Sequence, residues 1–377
     1  MEGTGGGKMN GSANGKALPA RLSDEELSQR KRARAKKRWL AVAVVAIVAG
    51  SALAGYFFLR PAEGDVLRLG YFPNITHAQA LVGLEKGMFK EHLPKVELKT
   101  YVFNAGPSVI EAMFAGKLDI SYIGPSPTIN GYVQSNGEAL RVVAGACSGG
   151  AVLVVRGGSG INSTGDLAGK KLGSPQLGNT QDVALRHYLK VNGLKTTEEG
   201  GSVEVVTVPN ADILTLFKKG ELDGAWVPEP WGARLVHEGG GRLLLDERTM
   251  WENGSFVTAN IIVSTKLLNE KPKLVKAFLE AHVEATIWIQ QNPDDAKKVV
   301  NAQLEKLTGG ALANETLNDA FARLSITYDP VSASLRTYAD WAFELGFLGA
   351  TRPDLGHLYS LGTLNGILKE KGLDAVM

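Results

Sequence analysis

Two well-separated stretches decide the fold: "MFAGKLDISYIGP", Met113–Pro125, and "LFKKGELDGAWVP", Leu216–Pro228. Each closes a helical pattern on a glycine, Gly116 or Gly220, continues through a Leu-Asp pair, and runs an apolar strand into a proline. Glycine ends helices because it enters the left-handed region without a Cβ penalty. Equivalent positions lie 104 residues apart. That period is too long for a solenoid and suits two similar lobes, each a small α/β sheet.

The flanking sequence repeats the same order of elements. "VLRLGYF" (Val66–Phe72) reads as a strand halted by Pro73, and "NITHAQALVGLEKGMF" as a helix capped by Asn74 or Thr76 and ended by Gly87. "VELKTYVF" (Val96–Phe103) alternates as a second strand, followed by a helix from about Pro107, where proline suits the first helical position. The second set comprises "KKLGSPQLGNTQDVALRHYLKVNGL", "VEVVTVP" and "NADILTLFKKGELDGAWV". Two apolar runs bracket it, "AVLVVR" (Ala151–Arg156) and "FVTANIIVS" (Phe256–Ser264), and read as crossover strands between lobes. Beyond Lys266 the apolar spacing turns helical, as scaffold for the first lobe. The expected division is 66–150 plus 260–377 for lobe 1 and 151–259 for lobe 2.

The first sixty residues differ in kind. They hold eleven Lys/Arg against four Asp/Glu, leaving thirty against thirty-five, of 41 and 39 in all, for the rest. The net charge of +2 therefore hides a mildly acidic body, which excludes a nucleic-acid surface. Residues 1–39 read as a basic, mostly disordered cytoplasmic tail ending in "RKRARAKKRW". Leu40–Leu59 is uncharged for twenty residues, roughly 30 Å of helix and the thickness of a bilayer. The basic cluster orients such an anchor with everything after Arg60 outside the cytoplasm. Ala52-Leu53-Ala54 offers the alternative of a cleaved signal sequence, with a soluble exported product. The single cysteine, Cys147, permits no intrachain disulfide and no cysteine metal cluster.

In open α/β sheets, ligands bind beyond the carboxyl ends of the strands. Four turns sit there and open helices: Pro73–Thr76, Ala105–Ser108, Gly124–Thr128 and Leu177–Thr180. A helix N-terminus presents free N–H groups and a partial positive charge, so it attracts anions. Ser108, Ser126, Asn179 and Thr180 supply donors there; each alone is an ordinary cap, and four at equivalent strand ends indicate an anion site. "WVPEPW", Trp226–Trp231, occupies the matching end of the last strand. Its prolines stiffen the backbone, so Trp226 and Trp231 are expected to wall the cleft and Glu229 to take an ammonium or a donor from the opposing lobe; the alternative is a packed loop with Glu229 paired to an arginine such as Arg234. His77, beside the first turn, reads as a surface or capping residue. No nucleophile elbow, P-loop, dinucleotide fingerprint or metal-spaced histidine cluster is present, so neither cofactor nor metal is expected.

The segments "LRLGYFPNITHAQALVGLEKGMF", "FNAGPSVIEAMFAGKLDISYIGPSPTINGY", "GSPQLGNTQDVALRHYLKVNGL" and "FKKGELDGAWVPEPWGARLV" resemble the substrate-binding proteins of ABC importers in the aliphatic sulfonate, taurine and nitrate group. The resemblance spans 66–377. It implies an α/β, two-lobed periplasmic-binding-protein (type II) clamp with two crossover strands, here preceded by one transmembrane helix. It also implies partners: a small anionic solute, and an ABC permease with its cytoplasmic ATPase. By position it assigns ligand contacts to Pro73, Asn74, Gly106, Ser108, Gly124, Ser126, Asn179 and Thr180, with a carboxylate at Glu229. The expected solute is an aliphatic sulfonate or taurine; nitrate, bicarbonate or a thiamine pyrimidine, or a membrane-anchored ligand sensor, are the alternatives. The N-terminal segment and the turn "FPNITHA" depart from the usual pattern of the group.

Overall fold

The structure is a computed structural model that describes Asp65–Met377 continuously and, before that, only scattered positions between 25 and 39. The anchor or signal expected at 40–59 lies outside the described residues. Among the described residues no helix is long and apolar enough to cross a membrane.

Eleven strands form two sheets: β1 (Val66–Tyr71), β2 (Glu97–Val102), β3 (Ile120–Ile123), β4 (Leu140–Gly149), β5 (Ala151–Arg156), β6 (Lys171–Ser174), β7 (Glu204–Thr207), β8 (Gly224–Pro228), β9 (Gly241–Asp246), β10 (Val257–Ser264) and β11 (Leu324–Ile326). The first sheet runs β11-β4-β10-β3-β1-β2 and the second β7-β6-β8-β5-β9. In the first, β2, β1 and β3 are parallel, with Leu69 opposite Ile120; in the second, β7, β6 and β8 repeat that order, with Leu172 opposite Gly224. The two copies read in the sequence are the helix-to-strand passages into β3 and β8. Each copy's strand then meets an antiparallel crossover strand, β10 beside β3 and β5 beside β8.

The chain passes between the sheets twice. It first turns at Gly149 and Gly150, both with φ near +75° (73° and 77°), a region open to glycine but strained for other residues. It returns through residues 247–256, and β10 pairs with β4 from Val257 onward. The long helices Pro272–Gln291 and Pro293–Thr308 pack Val275, Phe278, Val283 and Val300 onto Leu67, Leu69 and Ile261 of the first sheet. Phe278 stacks on Phe89 at 4.9 Å. Cys147 is buried in this core, and desolvation pushes its thiol far above the range of a reactive cysteine. A second apolar cluster joins the sheets: Leu335 and Tyr338, on the helix Ser332–Glu344, pack with Ile123 and Ile262 of one and Leu153 and Trp226 of the other.

Candidate functional site

Helices begin directly after the parallel strands, as hydrophobic strands ending in Pro, Gly or Asn dictate. Their N-termini at Ala105, Gly124, Asn179 and Asn210, with the short turn Asn74–His77, converge between the two sheets. They enclose a cavity of about 20 Å³, lined among others by Asn74, His77, Gly124, Thr180, Asn210 and Thr258. No Asp, Glu, Lys or Arg lines it. The Thr180 hydroxyl is buried without a hydrogen-bond partner, with the side chain 1% exposed, and the Asn210 Oδ1 is buried and unpartnered as well. A buried polar atom left unpaired costs about 1–3 kcal/mol, so the Thr180 hydroxyl is free to donate to a group that enters, whereas Asn210 Oδ1 can only accept. Contact across the cavity is close: a Cβ on Gly124, after β3, would overlap Thr180 Oγ1, after β6. The cleft is shut at that point.

A wider groove of about 440 Å³ adjoins the cavity, sharing Asn74, Asn104 and Asn210 with it. Pro73, Val102 and Leu307 form one wall, and Leu214, Trp231 and Arg234 the other. Trp231 Nε1 donates to Asn74 Oδ1 at 3.0 Å, which turns the Asn74 amide nitrogen away from the tryptophan. Arg234 lies over the Trp231 ring at 4.8 Å and is paired with Glu238.

Of the expected site residues, the structure brings Asn74, Gly124, Asn179 and Thr180 to the cavity and Pro73 and Trp231 to the groove. Gly106 and Ser108 do not line either space; a Cβ on Gly106 would overlap Pro127, so its requirement is helix packing. Ser126 is buried with an unpartnered hydroxyl but stays behind the lining. The two large expectations for "WVPEPW" need correction. Trp226 is wholly buried, packs edge-on to Tyr188 at 5.4 Å, and donates from Nε1 to Glu247 at 2.8 Å. It is a core residue, because the inward face of β8 points into the cluster that joins the sheets.

Glu229 meets no ammonium site. Its Oε1 accepts from Arg323 Nη1 at 2.7 Å and its Oε2 from the Ala233 N–H at 2.9 Å, with no exposure at all. Burial raises its pKa, an effect that the nearby Arg323 charge and these hydrogen bonds oppose. Arg323 precedes β11 of the first sheet and its carbonyl accepts from the Gly150 N–H at 2.8 Å, so the pair clasps the first crossing. Arg323 is thus the expected donor from the opposing lobe, while Arg234 pairs with Glu238 instead.

Thr76, in the first expected turn, lines the cavity, and so does His77, which is buried rather than at the surface; Asn104, Gln181, Asn210 and Thr258 line it without a sequence expectation. Asn210 was within reach, since it opens the helix after β7 as Thr180 does after β6. Thr258 had no signal, because it sits inside a crossover strand rather than at a strand end.

The model of the NMT1-like family matches residues 60–304. The chain belongs to the NMT1-like family. An aliphatic sulfonates-binding protein of Bacillus subtilis is 26% identical over 80% of this chain and 88% of its own length. The taurine-binding periplasmic protein of Escherichia coli is 27% identical over 51% of this chain and 57% of its own. Among solved structures, the alkanesulfonate-binding protein SsuA from Xanthomonas axonopodis pv. citri, bound to MOPS, superposes with a TM-score of 0.67 at 19% identity, over 80% of this chain and all of that one. The nitrate-binding protein NrtA of Synechocystis superposes at 0.66 with 15% identity, over 82% and 89%. This NMT1-like chain is accordingly a substrate-binding protein of the ABC-importer group, with its two-sheet fold, and not an enzyme.

Proposed function

We propose that the protein is the extracytoplasmic receptor of an ABC importer for a simple aliphatic sulfonate, captured between the lobes and handed to a permease. The observation that carries it is the unpaired, buried Thr180 hydroxyl in a charge-free cavity where helix N-termini converge. Several N–H and O–H donors suit the oxygens of an anionic head, and a helix N-terminus supplies favourable potential without a cation. The adjoining groove, with Trp231, Leu214, Val102 and Leu307, suits a short apolar tail. Membrane anchorage through residues 40–59, with the binding lobes outside the cytoplasm, is part of the same proposal.

The groove also selects against taurine. Neither space has a carboxylate in its lining, and Arg234 is the charged group that faces the tail. An ammonium there would lose water without gaining a counter-charge. Nitrate or bicarbonate is a second reading, favoured by the enclosed volume of about 20 Å³, room for about one water; a sulfonate head needs the cleft to open somewhat.

Calorimetric titration of the full-length protein with ethanesulfonate, taurine, nitrate and bicarbonate tests this. Ethanesulfonate should bind at least about tenfold more tightly than taurine, a difference of about 1.4 kcal/mol. Tighter binding of taurine would overturn the apolar-tail reading, and binding of nitrate alone would install the second.

A further inference from the structure

Two histidines, His77 and His282, are buried, and they differ in one respect. His282 uses both ring nitrogens: Nε2 lies 2.9 Å from the Gly145 carbonyl and Nδ1 3.0 Å from the Tyr122 hydroxyl. His77 uses one. The Phe72 backbone N–H points at its Nδ1 across 3.1 Å. A backbone amide only donates, so Nδ1 must carry a lone pair and the proton must sit on Nε2. Among the described residues no hydrogen bond engages that Nε2–H, and His77 is one of the residues that line the charge-free cavity. Phe72 stacks on the imidazole at 4.5 Å and fixes its plane, with the Tyr122 ring 5.8 Å away on another side.

We propose that His77, locked as its Nε2–H tautomer by the Phe72 amide, donates that proton as a neutral hydrogen bond to the bound oxyanion and makes the site specific for a fully ionised monoanion. The inference rests on the oxyanion reading given above and deepens it. A neutral donor set satisfies one delocalised negative charge; a dianion would bring a second charge into a cavity with no Lys or Arg to meet it. Sulfonates are monoanions at every physiological pH, whereas alkylphosphonates become dianions near neutrality.

Charging the ring is unfavourable on two counts. A proton on Nδ1 would face the Phe72 N–H, and burial drives the His77 pKa down to about 3. The titratable groups packed nearby do not change this: Tyr122 is held well above its usual range, and His282 is likewise pushed down to about 3. No charged side chain lines the cavity. Binding through His77 should therefore show none of the rise toward acid pH that an imidazolium would give.

The test uses the full-length protein, ethanesulfonate and ethylphosphonate as probes, and the variants His77→Phe and His77→Gln. Wild-type affinity for ethanesulfonate should stay flat between about pH 5.5 and 8 and exceed that for ethylphosphonate at pH 8 by about tenfold or more. His77→Phe should weaken ethanesulfonate about tenfold, and His77→Gln, which keeps an N–H donor, within about threefold of wild type. Nitrogen-15 NMR should place the His77 proton on Nε2 and move that resonance when ethanesulfonate is added, a signature that mere packing would not produce. Thermal unfolding of each unliganded variant checks folding, and the wild-type NMR and pH series stand even if a variant fails to fold. Affinity that climbs about tenfold as pH falls through 6.5, or a His77→Phe variant that folds and binds as wild type, would overturn the role of His77 while leaving the oxyanion site intact. A wild type that binds none of the anions would overturn both.

Discussion

The turns around the cavity and the segment Trp226–Trp231 both lie at strand ends, and both are rich in groups able to meet a ligand. They differ in what those groups already hold. In the turns, the Thr180 hydroxyl and Asn210 Oδ1 are buried and unpaired. In the segment every polar head is taken: Trp226 by Glu247, Glu229 by Arg323 and Ala233, Trp231 by Asn74. Thr180 combines an unpaired hydroxyl with a place in the cavity lining, whereas the polar heads of the segment are committed to holding the cleft in shape. The stiffness of "WVPEPW" therefore serves the hinge and the groove wall.

The largest effect that would break this contrast is at Glu229. Replacing Glu229 by Ala leaves the Arg323 guanidinium, 15% exposed, without its carboxylate. Arg323 retains Asp319 at 3.5 Å, so the loss should cost about 3 kcal/mol of stability, the lower end for a broken buried pair, read by urea unfolding of the unliganded protein. The ratio of ethanesulfonate to taurine affinity should stay the same. A selective change in taurine binding would return Glu229 to the ligand and erase the contrast.

Glu247 sharpens it from the scaffold side. Its carboxylate accepts from Trp226 at 2.8 Å and from Trp251 at 3.4 Å, and the Tyr338 hydroxyl also donates to it. Desolvation nevertheless raises its pKa to about 7. Between the unfolded value of 4.5 and about 7 the folded state holds a proton that the unfolded state has released. Stability therefore falls as pH rises through that window and levels off above it, by on the order of 3 kcal/mol. Glu247→Gln should flatten that slope, measured as unfolding free energy against pH. An equal slope in the variant would assign it to another group.

Much of the fold was legible because period and punctuation are local. The glycine stops at Gly116 and Gly220 and the prolines Pro125 and Pro228 at the ends of β3 and β8 mark the repeated β-α-β-α-β unit, and the apolar runs at 151 and 256 form β5 and β10, each directly after a crossing. The lining of the candidate site was legible where it follows the same rule, at Asn74, Gly124, Asn179 and Thr180 in the cavity and Pro73 and Trp231 in the groove. Thr258 and the Glu229–Arg323 pair were not, because they depend on which distant strands become neighbours. Arg323 lies 94 residues beyond Glu229, and no local spacing records that meeting. His77, expected at the surface, is buried for a related reason: its turn packs on β4 and β10, and its ring on Phe72 and Tyr122, neighbours that no local spacing records.

Gly124 carries the smallest of these effects and the most direct reading of closure. Its φ of −76° suits any residue, so backbone freedom does not explain the glycine. The explanation is the approach of Thr180, whose Oγ1 a Cβ would overlap. In Gly124→Ala the lobes should stop short of full closure, and ethanesulfonate and nitrate should both weaken by about tenfold, or about 1.4 kcal/mol. Unfolding of the unliganded protein should barely change, because an open cleft has room for the methyl group. Adding Thr180→Ala removes the overlap and the unpaired hydroxyl together, so affinity should recover only in part. Full recovery would mean that Thr180 was an obstacle and never a donor. No recovery would mean that Gly124 matters for some reason other than closure. Partial recovery, by contrast, separates the space Gly124 leaves from the hydrogen bond Thr180 gives.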